Sequence, residues 1–155
     1  MTKTDTLYFS ARRHHEAGRS DVAKEIYRQI ITINPCHAGA LQMLGILAHK
    51  SGETSAALEL LKRAETEDPK NPALLINLGV VIREMGDTAA AKVFLLKALA
   101  LDPKQSMGHF NLGNLYRETG DFLAALDSYE EALSLSRNDP NLLHNKGVTL
   151  RELGR

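Results

Sequence analysis

Apolar residues recur along this chain at helical spacing, in two short runs per period. Within residues 73–85, Leu75, Leu78, Gly79 and Ile82 share one face of a 3.6-residue helix. Gly86-Asp87 then breaks the pattern, and glycine is the usual residue just past a helix end. A second run, Ala91, Leu95, Ala98 and Leu99, continues to Leu101. Asp102-Pro103 closes it, because proline disfavours helix in the residue before it. Ser20, Thr54 and Thr88 stand where caps for the second helices are expected.

The same beat runs through the chain. Gly45, Gly79, Gly113 and Gly147 are each 34 residues apart, as are Gly18, Gly52, Gly86, Gly120 and Gly154. Ala23, Ala57, Ala91 and Ala125 keep that step, as do Ala64, Ala98 and Ala132, and Pro35, Pro69 and Pro103. A fixed period of this length means stacked supersecondary units. The chain is therefore expected to be all-α and one domain. Its units are 4–37, 38–71, 72–105 and 106–139, followed by a lone first helix at 140–155. Gly79 and Ala98 are small because the helices of one unit cross there. Unit one departs from the pattern, with Ser10 in place of leucine and Arg12-Arg13-His14-His15 in place of an apolar stretch. The last helix reads either as a solvating cap or as a unit cut at a repeat boundary, with Lys146 where Leu44, Leu78 and Leu112 stand.

The period, the helix–turn–helix unit and residues Leu75, Leu78-Gly79, Ile82, Ala91, Leu95, Ala98 and Pro103 resemble the tetratricopeptide repeat. The resemblance covers essentially the whole chain. It implies a right-handed superhelical solenoid of antiparallel helix pairs, with the first helices lining a concave groove. On that implication, helical spacing selects the side chains that point inward. One column reads Phe9, Met43, Asn77, Asn111, Asn145. Beside it stand Ile76 and Phe110, then Asn114, then Arg83 and Arg117.

An asparagine amide donates and accepts together, as an extended peptide backbone requires. The Asn77, Asn111, Asn145 column resembles the asparagine ladder in the repeat domain of O-linked N-acetylglucosamine transferase, which implies backbone binding irrespective of sequence. The same amides could instead bond the neighbouring unit. Arg83 and Arg117 offer planar donors to carboxylates, yet each precedes a glutamate that could neutralise it. The carboxylate clamp known in this family is expected to be absent: of Tyr8, Arg12, Met43, Ala73 and Asn77, the last alone matches. Apolar groove residues such as Ile46, Val80 and Met107 favour a ligand with hydrophobic side chains.

Charge narrows the partner. The 155 residues hold 19 Lys and Arg against 19 Asp and Glu, so no cationic field favours nucleic acid or a membrane surface. The single cysteine, Cys36, fits a reducing, cytoplasmic setting, and no apolar run suggests membrane insertion. No phosphate loop or nucleophile elbow is present, and His14-His15 diverge on a helix, so no catalysis, cofactor or metal is expected. The expected function is a non-enzymatic protein- or peptide-binding module. Two alternatives remain: a scaffold that self-assembles through its terminal helices, and a substrate-recruiting domain of a larger transferase.

Overall fold

The computed structural model describes residues 2–154. Among these residues are nine helices and no strand: α1 (Lys3–Glu16), α2 (Ser20–Ile33), α3 (Ala38–Lys50), α4 (Thr54–Glu67), α5 (Pro72–Glu84), α6 (Thr88–Leu101), α7 (Ser106–Glu118), α8 (Phe122–Leu135) and α9 (Pro140–Glu152). They gather into two compact units, divided between Pro69 and Lys70. The first unit holds α1–α4, packed as the pairs α1·α2 and α3·α4. The second holds the pairs α5·α6 and α7·α8, with α9 against α8 and α7.

The turn inside each pair is built around one glycine. Gly86 has φ +89°, in the left-handed region that side chains with a Cβ rarely adopt. It lets the Asp87 N–H reach back to the Ile82 carbonyl at 3.2 Å, which closes the end of α5. The chain then enters α6 one residue earlier than expected. Asp87, not Thr88, is the N-cap, and its Oδ1 accepts the Ala90 N–H at 2.9 Å. Arg19 and Glu53 likewise precede Ser20 and Thr54 as N-caps, without a side-chain hydrogen bond. The tight glycine turn leaves three residues between the two helices, the last of them the N-cap, so Ser20, Thr54 and Thr88 already lie on the first turn.

The small residues permit close crossing. A Cβ on Gly79 would lie 2.8 Å from Leu95 Cγ, and one on Gly113 would lie 2.6 Å from Tyr129 Cε1. In the first unit, Ala11, Ala23, Tyr27, Ile30, Ala40, Leu44 and Leu47 form one buried cluster. In the second, Ala125, Tyr129, Ala132 and Leu142 form another, with Phe110 and Tyr116 packed against it. In the second unit the first helices lie side by side, α5 against α7 and α7 against α9, and that alignment positions the candidate site.

Candidate functional site

In the second unit the first helices form one surface, because α5 touches α7 and α7 touches α9. The asparagines on it have three different fates. Asn145 donates from Nδ2 to Asn114 Oδ1 at 2.8 Å, across from α9 to α7. Asn114 Oδ1 also accepts the Tyr129 hydroxyl at 2.7 Å, so one oxygen joins α7, α8 and α9. Each such bond contributes about 0.5–1.5 kcal/mol. Asn111 is buried and donates to the Met107 carbonyl of its own helix at 2.8 Å. One unit earlier, Val80 occupies the register of Asn114 and offers no acceptor, so the Asn111 amide turns inward. Asn77 is half-buried, and its amide has no protein partner among the described residues.

The arginines sit in the seam between helices rather than in solvent. Arg83 Nε lies 3.7 Å from Glu118 Oε2, linking α5 to α7, with its side chain 15% exposed. Arg83 Nη1 and Arg117 Nε are buried without a protein acceptor. Burial pushes the Tyr129 phenol up from its usual range, partly offset by its hydrogen bond to Arg117.

Next to this network, the starts of α7 and α9 frame a cavity of about 330 Å³. Its walls are Met107, Phe110 and Leu142, with Gln105, Ser106, Ser136, Asp139 and Asn141 around them. Met107 is 58% exposed, whereas Phe110 is held against the Tyr129 ring at a centroid distance of 6.2 Å. Ile76 is buried, near the Cβ position of Gly108, and does not present an open surface. The structure thus brings Phe110, Asn111 and Asn114 together on α7. In the first unit, Phe9 is exposed on α1 and Met43 packs into the buried cluster from α3.

Gln105, Ser136, Asp139 and Asn141 were not singled out from the sequence. They lie in or beside the turn between α8 and α9 and the one before α7, where helical spacing gives no direction. Cys36 is exposed, and its thiol is raised by a hydrogen bond to the Glu67 carboxylate, which disfavours the thiolate a nucleophile needs. Among the described residues no His, Cys, Asp and Glu side chains group as a metal site would, and no helix is long and apolar enough to cross a membrane.

Comparison with known proteins agrees with this architecture. Family models described as tetratricopeptide repeat match residues 10–72, 48–110 and 94–127, and one described as TPR repeat matches 113–154. Curated protein sequences give no match. A crystal structure of MamA aligns over 99% of this chain and 85% of its own, with TM-score 0.80 and 23% identity. Pseudomonas aeruginosa PilF aligns over 96% of this chain and 68% of its own, with TM-score 0.85 and 25% identity. The first TPR of Spaghetti (RPAP3), bound to an HSP90 peptide, aligns over 76% of this chain and 94% of its own, with TM-score 0.72 and 21% identity.

Proposed function

Since the chain belongs to the tetratricopeptide repeat family, we propose that it is a non-catalytic module that binds a segment of another protein on the face formed by its first helices. The observation that carries this reading is the cavity between α7 and α9. It has an exposed methionine and a fixed phenylalanine at its wall, with amides and hydroxyls around them. Such a site takes one apolar side chain and leaves polar groups for the backbone that carries it. Asn77, with its free amide on the same face, suits the next stretch of that backbone. An HSP90 peptide on the RPAP3 domain supports a polypeptide ligand for this fold.

Peptides selected from a random library against the chain test this reading. The selected set is expected to share one bulky apolar residue. Met107→Glu should weaken their binding at least about ten-fold, a loss of about 1.4 kcal/mol. Asn77→Ala should also weaken them. Unchanged affinity in both variants would remove the basis for a site on this face. We place the binding surface in the cytoplasm, where a reduced Cys36 is the norm.

A second reading, self-association, is favoured by one observation. Gly147 on α9 has nothing within 4 Å of its Cβ position, whereas Gly45, Gly79 and Gly113 are each covered by a side chain of the paired helix. Light scattering over rising concentration tests it: growth in mass supports association, and constant mass dismisses it.

A further inference from the structure

In the first unit, the end of α1 and the start of α2 frame a small cavity of about 130 Å³, lined by Ser10, Arg13, His14 and Arg19. All four residues depart from the repeat in the same direction. The registers of Ser10, Arg13 and His14 hold Leu44, Leu47 and Ala48 one period later and Leu78, Val81 and Ile82 two periods later, all of them buried. The register of Arg19 holds Glu53, Asp87 and Asp121, and the two aspartates cap α6 and α8. A terminal helix needs only polar side chains to meet water, and carboxylates would serve that purpose equally well. Here each of the four positions carries a hydrogen-bond donor, and no carboxylate lines the cavity.

These donors are unclaimed within the chain. Among the described residues neither the Arg13 nor the Arg19 guanidinium has an ion pair or a hydrogen bond. Glu16, at the end of α1, is held by Arg12, and Asp21, on the first turn of α2, bonds neither arginine. His14 Nδ1 is buried without a partner. A proton there would lack an acceptor, so the neutral ring carries its proton on Nε2. No side chain caps α2, so its first N–H groups and its positive end add to the same field. We propose that this cavity binds a phosphate monoester. Such a group carries about −1.5 to −2 charge at neutral pH and three acceptor oxygens. The guanidiniums of Arg13 and Arg19 match that charge, and their planar forks, with the Ser10 hydroxyl and His14 Nε2, supply donors to the oxygens. The volume lies well below the roughly 300–1,000 Å³ of a site for a whole organic ligand, so the phosphoryl group enters and its carrier stays outside. Two arginines hold one phosphate, not the row of them that a nucleic acid or an anionic membrane presents. The site belongs to the first unit and does not depend on the first-helix face of the second.

Amide chemical-shift titration of the full chain in a phosphate-free buffer tests the assignment. The probes are a short phosphoserine peptide, its unphosphorylated counterpart, inorganic phosphate and acetate. The phosphoserine peptide should shift the amides of Ser20, Asp21 and Val22 to saturation, at least about ten-fold more tightly than the unphosphorylated peptide or acetate. Arg13→Gln with Arg19→Gln should abolish saturation, with circular dichroism unchanged, since both side chains are exposed. Arg19→Asp, which restores the acidic cap seen at α6 and α8, should abolish it too. Inorganic phosphate binding as tightly as the phosphoserine peptide upholds the site with the free anion as its ligand. Weaker binding of inorganic phosphate upholds it with a phosphorylated side chain as its ligand. A titration that never saturates, acetate binding equally well, or saturation that survives in the double variant would overturn the inference. Peptides selected for the first-helix face should bind these variants normally, so the two sites fail or stand separately.

Discussion

Tyr27 and Tyr129 occupy one register three periods apart, and both are fully buried. Tyr129 donates its hydroxyl to Asn114, but the residue in that register of the first unit is Arg12, whose guanidinium pairs with Glu16 at 3.2 Å. The Tyr27 hydroxyl is left without a partner. Tyr129→Phe should therefore lower the unfolding free energy by about 1–2 kcal/mol in urea titration, and Tyr27→Phe should leave it unchanged or raise it. The phenol of Tyr27 is pushed by burial from 10.0 to about 12. Its folded pKa is the higher one, so the stability carried by the neutral phenol is full below pH 10. That stability is lost as pH rises toward about 12. Urea midpoints at pH 9 and pH 11 should fall for the parent chain and fall less for Tyr27→Phe. None of this was readable from spacing, which sets Arg12 and Asn114 on the same face. The difference lies in the first-helix residue each tyrosine meets, since an amide oxygen accepts a hydroxyl and a guanidinium does not.

At the scale of helices, the glycine column gives a controlled comparison. Gly79 backs onto Leu95 and the Ala91 carbonyl, while Gly147 faces open space. Gly79→Ala should cost about 1–3 kcal/mol by overpacking. Gly147→Ala, inside α9, should gain about 0.5–1 kcal/mol from helix propensity alone. Chemical denaturation separates the two, and equal effects would mean that the crossing is looser than the contacts indicate. The helices and their pairing were legible because a strict period leaves one packing face per run. The caps were not, since the left-handed glycine shifts each entry by one residue, from Thr88 to Asp87. Lys146 also escaped the pattern. In a leucine register it reaches Glu130 of α8 at 2.9 Å, so a charged residue there still contacts a neighbouring helix.

Across the whole chain, the 34-residue beat made the fold class and the family visible from sequence, but it selected candidate site residues by direction alone. Direction does not say whether an amide is already used. Asn145 donates to Asn114, Asn111 with Val80 in that register donates to its own helix, and Asn77 donates to no protein group among the described residues. A balanced 19 to 19 charge count likewise concealed local differences, such as an α6 without acidic residues and an α8 without basic ones. Amide chemical-shift mapping with a library-selected peptide tests the central proposal most directly. Shifts are expected at Asn77, Met107, Phe110 and Asn141, on the first helices of the second unit. Shifts confined to the outward faces of α6 and α8, with those four positions silent, would contradict it.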